Sequence, residues 1–187
     1  MKKPLSIRAM LQEGKGRIAT GRAEEVAALV LAQPRRAEKL LECLWDDDPG
    51  VVNRAAQALE RVVRVGQPRL LARLSSSKTS LLGLLAEAGE NKLRWHLAFV
   101  VPRLALTPRE SARTAAILQS WLEDQSSSIV KTMSLQGLAD LTRQDPALLP
   151  MVLDLLRIHG RSGTPAMRAR SRILLKHLDS ARPEMLW

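Results

Sequence analysis

The sequence predicts an all-α protein, a stacked helical repeat of about five helix pairs. Three observations carry this expectation. First, a short pattern returns four times: Asp48-Pro49-Gly50-Val51-Val52-Asn53-Arg54-Ala55, Glu90-Asn91-Lys92-Leu93-Arg94-Trp95-His96-Leu97, Ser127-Ser128-Ile129-Val130-Lys131-Thr132-Met133-Ser134, and Thr164-Pro165-Ala166-Met167-Arg168-Ala169-Arg170-Ser171. Anchored on Val51, Leu93, Val130 and Met167, the steps are 42, 37 and 37 residues, a period typical of helix-pair arrays. Second, apolar residues between these anchors recur at helical spacing. Third, proline sits repeatedly one residue behind a capping side chain, at Asp48-Pro49, Thr107-Pro108, Asp145-Pro146 and Thr164-Pro165, where its missing N–H costs no hydrogen bond.

The elements follow in order. Residues 1–21 hold Gly14, Gly16 and Gly21; Leu5, Met10 and Leu11 suggest a short helix in what reads as a basic arm or cap. Residues 22–32 are strong helix formers with Glu24 and Glu25 early, as the helix dipole prefers. Pro34 opens a second helix whose Ala37, Leu40, Leu41 and Leu44 form one apolar stripe. Residues 49–65 form the next first helix, with Val52, Ala55, Ala56, Leu59, Val62 and Val63 inward. Its partner starts at Pro68, breaks near Ser75-Ser76-Ser77 and resumes to Ala88, which accounts for the longer first step. Residues 91–105 follow, bent or ended by Pro102. Thr107-Pro108-Arg109-Glu110 is a capping box launching a helix to Leu122. Residues 127–143 and 146–159 make the next pair, Gly160 to Gly163 a turn, and Thr164-Pro165 opens a last helix to about Leu178. The repeat domain is thus 22–187, in units of about 22–48, 49–89, 90–124, 125–161 and 162–187.

Composition narrows the functional classes. The 187 residues suffice for one continuous core, and 45% are hydrophobic but only 3% aromatic, so Leu, Ala and Val do the packing. A base-stacking nucleic-acid binder would need more rings. The single cysteine, Cys43, excludes an intramolecular disulfide and a four-cysteine zinc site, and its apolar surroundings predict a buried, inert thiol. No metal or cofactor is expected: Asp46-Asp47-Asp48 lacks the loop spacing of an oxygen-ligand cation site, and His96, His159 and His177 share no motif. No apolar stretch is long enough for a membrane span or a secretory leader, so no membrane association is expected and the default compartment is the cytoplasm. The net charge of +10 is distributed as +5 over 1–22, −4 over 23–48, +4 over 49–89, +2 over 90–161 and +3 over 162–187. Such a surplus favours polyanions or acidic protein surfaces.

The repeated pattern resembles HEAT repeats. Asp48-Pro49, Val51, Ala55 and Ala58-Leu59 match the cap, the branched apolar residue and the small positions. Leu93-Arg94, Val130-Lys131 and Met167-Arg168 match the apolar-basic pair, and Ser134 and Gly137-Leu138 keep the small positions. In the first copy the basic residue, Arg54, is displaced, and the second copy lacks the cap proline. The resemblance spans about residues 22–179 and implies a right-handed α-α superhelix, an armadillo-like solenoid. It further implies a non-enzymatic binding or scaffold module for a protein partner. The small residues have a packing role, so Ala55→Glu or Ser134→Phe is expected to damage stacking.

Two basic surfaces are candidate binding sites. With the second helices lining one face, Arg35, Arg36, Lys39, Arg69, Arg73, Arg109, Arg113 and Arg157 form a stripe across successive repeats, and Arg69/Arg73 and Arg109/Arg113 project as i, i+4 pairs. The plain alternative is a solvated face balanced by Glu38, Glu42, Glu110 and Asp154. Arg168, Arg172 and Lys176 form a second patch on the last helix, or else a soluble terminal cap. Trp45 and Trp121 occupy repeat-equivalent positions, each three residues before an aspartate, and are expected to pack between layers; the other reading is an exposed ring beside a carboxylate. The other reading of the stripe is nucleic-acid binding: helical-array architecture with basic charge is similar to the HEAT-like DNA glycosylases of alkylation repair, although no catalytic residue carries over.

Overall fold

In the computed structural model, residues 6–13, 21–124 and 127–180 are described, and they are helical with no strand among them. A short α1 (Ile7–Gln12) is capped by the Ser6 hydroxyl and buries Ile7, Met10 and Leu11. Its neighbours are α2 (Ala23–Ala32), α3 (Ala37–Glu42) and α4 (Pro49–Val65). Gly14 and Gly16 of the expected N-terminal arm lie outside the described residues, as does Trp187. The second helix of the first pair is composite: a 3-10 turn at Pro34–Arg36, then α3, then a 3-10 turn at Cys43–Trp45.

Asp48 caps α4 as its sequence implies, its carboxylate accepting from the Gly50 amide at 2.7 Å. Gly66 ends the helix with φ +72°, a left-handed conformation open to glycine at little cost. The partner of α4 is broken where the serines stand, into α5 (Pro68–Ser75) and α6 (Lys78–Glu87). Then come α7 (Asn91–Val100), which Pro102 converts into a 3-10 turn at Val101–Arg103, and α8 (Pro108–Glu123). The capping box of α8 is complete: Thr107 Oγ1 accepts from the Glu110 amide, and the Glu110 carboxylate accepts from the Thr107 amide at 2.7 Å.

The remaining elements are α9 (Ser128–Leu141), α10 (Leu149–Ser162) and α11 (Pro165–Ser180). Two local expectations need correction. The Asp145 side chain caps no helix; a 3-10 turn at Pro146–Leu148 intervenes before α10. Residues 160–162 are helical rather than a turn, because α10 runs on along α11, where Gly160 lies against Ser171.

One set of helices stacks in chain order. α4 packs on α2, α7 on α4, α9 on α7 and α11 on α9, so the first helix of each unit lies against the first helix of the next. Ala55, Ser134 and Ser171 are all fully buried, while the matching position on α7 holds the large Leu97. Small side chains there let neighbouring backbones approach, which is the packing role assigned to Ala55 and Ser134. Gly137 is the sharpest case. A Cβ at that position would fall inside contact distance of the Ala98 carbonyl oxygen on α7 and sit 2.9 Å from Leu118 Cδ1 on α8. The α7–α9 crossing therefore has no room for alanine.

The two repeat-equivalent tryptophans part company. Trp121 is buried in α8, with the Arg94 guanidinium 5.4 Å from its ring centre. Trp45 is 50% exposed, against the expectation of packing between layers. The cause is local geometry. Leu41 and Leu44 stay buried, and the helix ends in the tighter 3-10 turn at Cys43–Trp45, where Trp45 turns outward.

Candidate functional site

The basic residues of the second-helix layer divide into engaged and unengaged groups. Lys39 pairs with Glu42 at 2.8 Å, Arg73 with Glu38 at 3.1 Å and Arg157 with Asp154 at 2.9 Å, while Arg36 donates to the Gln33 side chain at 2.7 Å. Arg35, Arg69, Arg109 and Arg113 are exposed and enter no hydrogen bond or ion pair among the described residues. The structure brings the 34–45 segment to α5 through Arg73–Glu38, and α6 to α8 through Lys78–Glu110 at 2.7 Å. No hydrogen bond or ion pair among the described residues links Arg109 or Arg113 to Arg157. On α11, Arg168, Arg172 and Lys176 are all exposed, and Arg168 donates to the Gly163 carbonyl at 3.3 Å.

A different set of polar residues, not singled out by the sequence, occupies the first-helix layer. Arg61 on α4 pairs with Glu24 on α2 at 2.5 Å. Glu60 on α4 meets His96 Nδ1 on α7 at 3.0 Å and also accepts from Arg64. Arg103, just past α7, pairs with Asp140 on α9 at 2.5 Å. Gln136 on α9 donates to both Asp140 oxygens at 3.1 Å and accepts from Arg170 of α11 at 3.1 Å. The four helix-to-helix links join residues 37, 36, 37 and 34 apart.

At the centre of this ladder lies Phe99, only 4% exposed. The Arg103 guanidinium stands 3.4 Å from its ring centre and that of Arg64 stands 4.3 Å away, both within cation–π range. Arg103 also donates to the Phe99 carbonyl, a last-turn acceptor. At the far end, Arg54, 3% exposed, donates through Nε to the Leu11 carbonyl and so fastens α1 to α4.

The electrostatics follow from burial and pairing. Burial opposes ionisation of Glu60, but hydrogen bonds from His96 and Arg64 outweigh it and hold its pKa below the ordinary value. Burial pushes His96 down against the pull of Glu60, so the neutral ring donates Nδ1–H to the carboxylate. Burial pushes Arg103 down to about 10, opposed by Asp140 and reinforced by the like charges of Arg64 and Arg143. Burial raises Asp140 even against its cationic partners. Cys43 is buried, its thiol pushed up to about 11 chiefly by desolvation, and it donates to the Lys39 carbonyl, as expected of an inert thiol. Among the described residues no cluster of His, Cys, Asp and Glu could hold a metal ion, and no helix is long and apolar enough to cross a membrane.

The signal for the ladder was present but subtle. Polar residues recur at i, i+3 or i+4 inside helices that are otherwise buried nearly all round: 53, 57, 60, 61 and 64 on α4, and 132, 136, 140 and 143 along α9 and just beyond it. Superposing the repeats would have placed Arg103 and Asp140 at the same offset from Leu93 and Val130. No protein-family model matches the chain, and no curated protein or solved structure matches it.

Proposed function

We propose that the chain is a non-enzymatic HEAT-like binding module, an α-α superhelical array that recognises an acidic protein partner. One observation carries the proposal: consecutive first helices are joined by polar contacts at the repeat period, while basic side chains on both layers remain exposed to solvent. An array whose buried charges neutralise one another is a rigid scaffold, and its recognition chemistry resides on its exposed faces. The buried carboxylates Glu60 and Asp140 are each held by cations or donors, so neither is poised as an acid or base catalyst.

The second reading is nucleic-acid binding, favoured by the exposed, unengaged Arg69, Arg109 and Arg113 on α5 and α8. The two readings separate by salt. Anisotropy with labelled duplex DNA and with an acidic peptide, at two salt concentrations, is the test. Contact with many phosphates predicts a steep fall in affinity with salt, and a DNA affinity above that for the peptide, weakened by Arg69→Glu/Arg73→Glu, would overturn the protein-partner reading.

A further inference from the structure

One side of α11 is basic and unpaired. The helix meets α9 through the Arg170–Gln136 hydrogen bond and α10 through Ser171, which lies against Gly160. It buries Met167, Ser171 and Leu174 on that side. Arg168, Arg172 and Lys176 follow one another at i, i+4, turned away from the buried side and all exposed. The side chains of Arg172 and Lys176 enter no hydrogen bond or ion pair among the described residues, and the Arg168 guanidinium donates only to the Gly163 carbonyl, at 3.3 Å. The same places on the preceding helices are covered. Five residues past Val51, Leu93 and Val130 stand Ala56, Ala98 and Leu135, each at most 1% exposed; five past Met167 stands Arg172. Nine residues past the same positions stand Glu60, Pro102 and Ala139, all buried; nine past Met167 stands Lys176. Glu60 illustrates what a charge at this place does when a helix lies alongside: it crosses to His96 on α7 at 3.0 Å.

We propose that this side of α11 docks an acidic helix of a partner protein, lying along α11 with its carboxylates one turn apart on the facing side. The inference rests on the protein-partner reading and gives it a site and a ligand class. Residues four apart on an α-helix are separated by about 6 Å along the axis. A second helix with Glu or Asp at every fourth position therefore meets Arg168, Arg172 and Lys176 in step. Packed helices stand about 8–10 Å apart, a gap that arginine and glutamate already span between α4 and α2 as Arg61 and Glu24. Ile173, 49% exposed, and the partly buried Leu175 flank the cations and offer apolar contact beside them. Nucleic acid fits this side less well. Asp179, exposed three residues beyond Lys176, would repel a phosphate chain continuing along the helix. α11 also holds no Phe, Tyr or Trp on which a base could stack.

The test is fluorescence anisotropy with the full chain and a labelled Ala-rich helical peptide carrying Glu at every fourth position. A peptide of equal composition with its Glu residues spread around the helix, and a random duplex DNA, are the comparison probes. Arg172→Glu is the main variant and Arg172→Glu/Lys176→Glu the second, because both side chains are exposed and hold no partner among the described residues. Arg109→Glu on α8 is the control. The proposal expects the one-sided peptide to bind more tightly than the spread one. It expects about a tenfold loss in Arg172→Glu, the size of one charge-assisted pair turned repulsive, a larger loss in the double variant, and less than about twofold in Arg109→Glu. Equal binding of the two peptides would overturn the helical match. Binding that responds to Arg109→Glu and not to Arg172→Glu would overturn the site. Either result leaves the protein-partner reading in place. Absence of peptide binding at low salt would overturn both, and tighter binding of duplex DNA, lost in Arg172→Glu, would overturn the choice of ligand.

Discussion

The two sets of helices handle charge in opposite ways. In the first layer, α4, α7 and α9 are flanked on both sides, and the charged residues buried there are paired: Arg54 with a carbonyl, Glu60 with His96, Arg103 with Asp140. In the second layer, α5, α8 and α10 bury one stripe, such as Leu70 and Leu74 or Val152, Leu153 and Leu156, and leave their charges in water. A helix with neighbours on both flanks has no solvent to accept a stray charge, so each charge needs a partner on the next repeat. A helix with one free face can carry arginines that cost nothing and hold nothing in place.

The largest effect should come from breaking a first-layer pair. Arg103→Ala leaves Asp140 buried without its main cation and is expected to destabilise by about 3–5 kcal/mol in urea unfolding. Adding Asp140→Ala should recover part of that loss. A double variant as unstable as the sum of the singles would mean the two residues act independently. Next comes Gly137→Ala, expected to cost about 1–3 kcal/mol by forcing α9 away from α7. An unchanged denaturation midpoint would show that this crossing has slack.

The Glu60–His96 pair sharpens the comparison through pH. His96 titrates lower in the folded protein than unfolded, so below about pH 6.5 the unfolded chain binds the proton first and stability falls as pH drops. Glu60, also depressed, adds stability above about pH 4.5 that is lost as pH falls through its folded value. His96→Gln should flatten the upper part of this profile, measured as thermal midpoint against pH. An equally steep fall from pH 6.5 in the variant would place the titration elsewhere.

In the second layer the effects should be small. Glu110 is held at about 2, first by Lys78 and then by the Thr107 amide, so its contribution fades only as pH falls from about 4.5 toward 2. Glu110→Gln should lower the thermal midpoint slightly above about pH 4.5 and leave it unchanged near pH 2. Arg109→Glu should fall within about 0.5 kcal/mol of the parent. A larger loss there would mean that the second-layer charges support the fold after all.

Local chemistry was legible where one stretch of chain settles its own structure. The Asp48 cap, the Thr107/Glu110 box and the break at Ser75–Ser77 each depend on residues within one helical turn. The same kind of reasoning misjudged Asp145 and Trp45, because a 3-10 turn and an α-helix present the same residues on different faces. The exposed basic residues were also legible, since charge on an amphipathic helix faces water. The meeting of Arg64 and Arg103 on the Phe99 ring was not, because Arg103 lies just past a helix end, where helical periodicity no longer reports direction.

By itself, then, the sequence determined an all-helical chain, most of its caps and the identity of its small packing residues. Those features depend on backbone hydrogen bonds and side-chain size within short spans of chain. Only the tertiary structure decided that Glu60 meets His96, that Arg103 meets both Phe99 and Asp140, and that Trp121 is covered while Trp45 is not. Pairings between residues one repeat apart are set by how closely neighbouring helices approach, and that distance is fixed by packing at positions such as Gly137 rather than by the paired residues themselves.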